Sequence, residues 1–379
     1  MNFTSYTDKN KLAMDTILQK ETKGIPTSFI NLMQHDYLER IAKVSEGDYA
    51  KNPVEVYIKA QRNIGVNVLD QYIPTNPLSM EDSGYGEDTE HGATTGASEI
   101  FCDGILIDSP EAVAEHLESV VFERIKQSIY GFDEEKRIDE IIKYELDIQK
   151  SIGDDILKTG YGTVLFPTLS YYEYGYENYF MAYALYPEII EKHFSLQADF
   201  AVLNNKAVAK AYEKAKMPPL YRLDHDMADS RGTLVDVKSL DKIWFPQFSR
   251  AIEPMLKTNI KMIWHCDGNL MDMVPRLLDV GVSGFQGFQY EDGMDYKKIC
   301  SMKTKNGDDL IIWAGVSVTR TLPFGTPQDV KNELKFLVDN GPKTGLFLGA
   351  SSSVAPGIAW ENIEMMLEGF NYYRTHGRG

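Results

Sequence analysis

Short apolar runs rich in β-branched residues alternate along this chain with longer segments whose apolar positions recur at helical spacing. The runs are IPTSFI (25–30), VNVLDQYI (66–73), GTVLFPTL (162–169), PPLYRLD (218–224), IKMIW (260–264), GFQGF (284–288), LIIWAGV (310–316) and GLFLGA (345–350). Between them lie amphipathic segments with end signals. SPEAVAEHLESVVFERIKQSI opens with Ser109 as N-cap and Pro110 at the first helical position, and TPQDVKNELKFLVDNG opens at Thr326–Pro327 and closes at Asn340–Gly341. Strands separated by helices require a parallel sheet. Eight of them with short connections predict an α/β fold of the (β/α)8 TIM barrel type; a doubly wound open sheet is the alternative that periodicity leaves open.

One stretch breaks the rhythm. Residues 75–97, TNPLSMEDSGYGEDTEHGATTGA, are polar, acidic and rich in Gly and Thr, and they run into SEIFCDGILID, which reads as a short hairpin. A long irregular segment after the second strand would sit over the barrel mouth, or else be a surface insertion. The chain thus reads as one barrel domain over 1–379, with an N-terminal helical extension at 1–24 and an insertion at 75–108.

Composition agrees with a globular protein: 379 residues, 43% hydrophobic and 25% charged. No apolar stretch is long enough for a bilayer, and the first residues show no secretion signal. The three cysteines, Cys102, Cys266 and Cys300, form no CxxC pair, so a reducing cytoplasm is the expected setting. With 39 basic and 56 acidic side chains the net charge is −17, which repels phosphate backbones and makes nucleic acid a poor partner.

The candidate chemistry centres on WHCDGN at 264–269, directly after an apolar run. Side chains alternate along a strand, so His265 and Asp267 share one direction and Cys266 takes the other, packing as a small hydrophobe. At the C-terminal end of a barrel strand the inward direction is the reaction chamber. Gly268 permits a tight turn, and Asn269 is placed to cap a helix whose face carries Met271, Val274, Leu277 and Leu278. The bland alternative is that Asp267 caps the turn and His265 bonds a backbone carbonyl. In YRLDHDMADSRG, Asp224 and Asp226 likewise share a direction, and Asp226 either enters the mouth or caps a turn.

The segments IKMIWHCDGNLMDMVPRLLDVGVSGFQGFQYEDGMD and LIIWAGVSVTRTLPFGTPQDVKNELKFLVDNGPKTGLFLGASSSVAPGIAWENIEMM carry a further signal. With LDHDMADSRGTLVDVKSLDKIWFPQFSRAI upstream, they resemble the uroporphyrinogen decarboxylase superfamily. That family shows a strand ending in His-x-Cys/Asp-Gly, a following Gly-Met-Asp, a Leu-x-x-Gly-Thr-Pro-x-x-Val helix start and a final Gly-rich strand before Pro-x-x-x-x-Asn-Ile. The match runs through most of residues 219–373. It implies a (β/α)8 barrel with its site at the C-terminal mouth, and two branches: cofactor-free tetrapyrrole decarboxylases, and zinc-dependent methyltransferases that work with corrinoid proteins.

The decarboxylase signature Phe-Met-Arg-Gln-Ala-Gly-Arg-Tyr has no counterpart in FINLMQHDY (29–37), which lacks arginine. Near the family's catalytic aspartate stand only Asp70, out of register, and Tyr72. The methyltransferase branch fits in part. His265 matches its zinc-binding histidine, Asp267 stands where the first cysteine would be, and Ser352 stands near the second. Zinc also takes carboxylate oxygen, so His265, Asp267 and Glu291 form the expected metal set, with Asp226 as a further oxygen donor. Such a hard site suits activation of a methoxy oxygen better than of a thiol. The expected activity is therefore demethylation of a small methylated or methoxylated compound, the methyl passing to a corrinoid carried by a partner protein. A decarboxylase, and a barrel that only binds a tetrapyrrole or corrinoid, are the alternatives. Catalytic roles fall to His265, Asp267 and Asp226, and substrate contacts to Tyr72, Arg320 and Ser352. The tyrosines of LSYYEYGYENYF (169–180) wall an aromatic substrate, or line a rim or a subunit contact such as a homodimer needs.

Overall fold

In the computed structural model, residues 10–79 and 99–378 are described. The acidic residues Glu81, Asp82, Glu87, Asp88 and Glu90 of the 75–97 segment lie outside them.

Six of the eight apolar runs contain strands of parallel pairing, and the segment 157–161 supplies two more. We number them β1 (Val68–Leu69), β2 (Leu157–Lys158), β3 (Gly160–Tyr161), β4 (Leu220–Asp224), β5 (Lys261–His265), β6 (Gly284–Gln286), β7 (Ile311–Val316) and β8 (Leu346–Ala350). A curled six-stranded sheet runs β8-β7-β6-β5-β4-β3, every pair parallel, and β1 pairs parallel with β2. Only Thr159 separates β2 from β3, so one extended segment serves both sheets. The run at 25–30 supplies two parallel bridges, Thr27 to Leu348 and Ser28 to Val68. Ser28 N donates to Leu348 O at 2.8 Å, and Asn67 N to Thr27 O at 2.8 Å.

One expected strand is corrected. GTVLFPTL (162–169) is an irregular segment, and the strand lies just before it, at 157–161. Lys158 hid that strand from a reading by apolar runs; it is buried against Glu145, with Nζ 2.7 Å from Oε2. The 162–169 segment is apolar because it too is buried, and side chains rather than a ladder satisfy its backbone. Val164 N donates to the Tyr221 hydroxyl, Leu165 N to Asn205 Oδ1, and Asn204 Nδ2 to Thr163 O. Pro167, which cannot donate, receives the Trp244 indole N–H on its carbonyl.

The helix-end signals hold. Ser109 Oγ accepts from Ala112 N, and Thr326 with Asp329 forms a reciprocal capping box ahead of the helix Pro327–Asn340. The 109–129 segment is helical, with a π turn at Leu117–Val121. Asn269 caps no helix: the next one spans Val274–Val280, and Asn269 Oδ1 accepts from Met271 N instead. SEIFCDGILID forms the expected hairpin, Phe101–Cys102 against Ile105–Leu106.

Helix α1 (Lys11–Ile17) closes the end of the sheet where the strands begin. Its Ala13, Met14 and Ile17 pack with Val68, Leu157, Leu220, Ile263, Ile311, Trp313 and Phe347, which fall within the first three residues of their strands. Above this apolar cluster the interior carries charge.

Candidate active site

The site forms where β4 and β5 end. Leu220 faces the interior with the apolar layer, so period-two alternation turns Arg222 and Asp224 the same way; Ile263 and His265 follow the same rule on β5. Asp224 and His265 are register partners. One donor atom each from Asp224, Asp226 and His265 lies within 4.8 Å of the others, the one such group of three among the described residues.

His265 is 7% exposed. Its Nδ1 lies 3.2 Å from the backbone carbonyl of Gln286. A carbonyl only accepts, so Nδ1 carries the proton in this contact and Nε2 is left for the carboxylates. Gly287 makes room: its φ is +69°, and a Cβ there would lie 2.3 Å from Ser351 O and 3.2 Å from His265 Nδ1. Burial disfavours a charged imidazole, but Asp224, Asp267 and Asp226 outweigh it and raise the ring's proton affinity.

The acids differ from one another. Burial opposes ionisation of Asp224, yet His265 and Arg222 outweigh it, so its carboxyl sits below the usual range. The Tyr161 hydroxyl donates to its Oδ2 at 3.0 Å, and Arg222 Nη1 lies 3.4 Å from the same oxygen. Asp226 is pushed above the usual range by burial, with His265 opposing. Its Oδ1 accepts from Asp267 N at 2.8 Å, which ties the ends of β4 and β5 together. Asp267 Oδ1 lies 3.9 Å from His265 Nε2, and Asp267 Oδ2 accepts from Ser352 Oγ at 3.2 Å. Cys266 points the other way and is buried, its thiol pushed well up by burial.

The remaining expected residues are placed as follows. Glu291 stands outside the group of three; its Oε1 accepts from Ser317 Oγ at 2.6 Å and from Thr319 Oγ1. Arg320 is exposed at the start of a short helix, with its charge near Asp292. The Tyr72 hydroxyl meets Ser151 at 3.0 Å, in a groove shared with Lys143, Tyr144 and Ile148 of the helix Glu134–Ile152. Tyr72 and Arg320 are thus held by contacts away from the triad, whereas Ser352 joins it through Asp267.

The tyrosine-rich segment does reach the site. The Tyr171 hydroxyl donates to Asp226 O at 2.9 Å, and its ring stacks on His225 and Phe180. Tyr176 and Phe180 line a cavity of about 480 Å³ with Asp229, Arg231 and Leu234. Arg222, Gln286 and Tyr161 escaped the sequence reading, which named Asp70 only as an out-of-register neighbour of the family's aspartate. Their one signal was a charged residue at an inward position of YRLD, which strand parity alone could have flagged.

No family model matches this chain, and no curated protein does. Solved structures do match. A methyltransferase from Methanosarcina mazei superposes with a TM-score of 0.57 at 15% identity, over 96% of this chain and 98% of that one. A protein described as a candidate vitamin-B12-independent methionine synthase from Listeria monocytogenes covers 94% of this chain and 98% of its own, at 13% identity and a TM-score of 0.45. The likeness to the Methanosarcina protein shows a shared fold.

Proposed function

We propose that this chain is a methyl-transfer enzyme whose centre is a divalent cation, zinc in the first instance, held by His265, Asp224 and Asp226. The observation that carries this reading is the convergence of one imidazole and two carboxylates within 4.8 Å at the end of a parallel sheet. The donor set fits the group, since catalytic zinc sites combine histidine nitrogen with carboxylate oxygen and keep a position open. When bound, the cation supplies a Lewis acid for charge developing on a leaving oxygen.

The protein's own residues do the rest. The Gln286 carbonyl orients His265, the Asp267 amide holds Asp226, and Ser352 holds Asp267 at the rim, where it can meet substrate or exchange a proton. Tyr171 bonds the Asp226 carbonyl and packs on Tyr176 and Phe180, whose aromatic faces line the neighbouring cavity and suit a small methylated or methoxylated compound. Support for methyl transfer comes from the fold shared with the Methanosarcina methyltransferase and from the His265-x-Asp267 motif. A corrinoid carried by a partner protein is the methyl acceptor in this reading. The scaffold is one domain over 1–379, a (β/α)8 barrel; its closure is supported by the bridges at Thr27 and Ser28, which join β8 to β1. The 101–106 hairpin belongs to the 75–108 insertion; its Cys102 meets the Glu173 carbonyl and the following Ile107 carbonyl accepts from Asn178, which supports a place for that insertion beside the site.

The test is elemental analysis combined with an assay of methyl transfer from methoxylated donors to reduced free corrinoid, followed by absorbance. About one zinc per chain is expected, and His265→Ala should lose both metal and transfer while keeping its melting temperature. A protein that takes up no metal, or that releases carbon dioxide from uroporphyrinogen at enzymatic rates, overturns the proposal.

A further inference from the structure

Beneath the triad the interior is polar, and one arginine organises it. Arg222 is 5% exposed in the middle of β4. It is paired with Asp70, just after β1, lies 3.4 Å from Asp224, donates to Gln286 Oε1 at 2.9 Å, and stands over the Tyr161 ring at 4.6 Å. Branched apolar side chains ordinarily fill this level of a barrel. A buried ion pair here adds little to stability over an apolar one of the same size. Nor is this pair built for stability, because Arg222 Nη2 and Asp70 Oδ1 are both buried without a hydrogen-bond partner.

We infer that Arg222, with Asp70 as its counter-ion, is a positioning residue that pre-sets two of the three donors of the cation site. This rests on the reading of the triad given above. Asp224 is set directly: Tyr161 and Arg222 both engage Oδ2, which leaves Oδ1 for a cation. His265 is set through Gln286, whose side chain accepts from Arg222 and whose carbonyl accepts from His265 Nδ1. One guanidinium therefore orients both side chains, on strands whose spacing the ladder already sets. Groups behind metal ligands commonly alter affinity 10–100-fold when removed.

Electrostatics alone makes the opposite forecast, since an arginine repels a cation and its loss should tighten binding. The double variant Asp70→Asn/Arg222→Gln separates the two, because it removes one charge of each sign. Cobalt(II), titrated into metal-free protein and followed by its visible absorption, is the probe. The inference expects affinity to fall roughly 10–100-fold, with altered absorption bands and an unchanged melting temperature of the metal-free protein. Equal or tighter binding with the wild-type spectrum overturns it. Should the double variant fail to fold, Gln286→Leu breaks the Arg222 contact and keeps the carbonyl; it should weaken cobalt binding by a smaller factor, and no change overturns the inference. Wild-type protein that takes up no cobalt, zinc or manganese defeats the triad reading and this inference together. Binding by the wild type that is equalled by the variants defeats this inference alone.

Discussion

The Nδ1 of His265 lies 3.2 Å from the backbone carbonyl of Gln286, across the β5–β6 ladder in which the two residues are register partners. A side chain on one strand is thus oriented by the main chain of the next. The contact depends on Gly287, and it fixes which nitrogen faces the carboxylates.

Gly287→Ala should therefore disturb the site more than the fold. The added methyl meets the Ser351 carbonyl at 2.3 Å, and φ of +69° is strained for alanine. We expect a stability loss of about 1–3 kcal/mol. Cobalt affinity should fall at least about tenfold as His265 is displaced. Thermal melts and cobalt titration read the two effects separately; a melting loss with intact affinity would mean that the His265–Gln286 contact does not organise the site.

Glu333 gives a pH signature. Burial pushes its carboxyl up to about 7, with the Ser317 amide opposing. A carboxyl whose folded pKa exceeds its unfolded value favours folding while protonated, so its contribution is lost as pH rises from about 4.5 through 7. Wild-type stability should fall across that window by an amount on the order of 2–3 kcal/mol. Glu333→Gln keeps an acceptor for Ser317 N and the Tyr290 hydroxyl and should flatten this slope. Urea melts at pH 5 and pH 8 compare the two proteins, and parallel slopes would remove Glu333 as the source.

Asn205 replaces a ladder. It is fully buried; its Oδ1 accepts from Leu165 N, and its Nδ2 donates to Leu165 O and Ala251 O. Asn205→Leu strands those groups, at a cost of roughly 3 kcal/mol. A drop in the urea midpoint is the expected readout. A midpoint unchanged from wild type would show that water satisfies the 162–169 segment instead.

Lys158 and Glu145 form a buried pair that punishes single removal. Lys158→Met should cost about 3–5 kcal/mol by leaving the carboxylate uncompensated, and Lys158→Met/Glu145→Leu should recover most of it. The check is a double-mutant cycle in urea; additive losses would mean that the two side chains act independently.

By itself the sequence determined the alternation of strands and helices, because burial writes its period onto residues that need no distant partner. It also marked the helix ends at Ser109 and Thr326, since a cap bonds only to its own first turn. It marked His265 and Asp267 as sharing a side, which strand parity requires. Tertiary structure alone decided three things. It chose 157–161 over 162–169 as the strand, because Lys158 is tolerable there only opposite Glu145, and the apolar loop only beside Asn204, Asn205 and Tyr221. It grouped Asp224 and Asp226, rather than Glu291, with His265, because the register of β4 on β5 brings their ends together while Glu291 is drawn to Ser317 and Thr319. And it joined Asp70, Arg222 and Gln286, residues from three strand segments, into one network beneath the site. Contacts of this last kind reach past the strands that lie between β1, β4 and β6, and no periodicity along a single one of them records that.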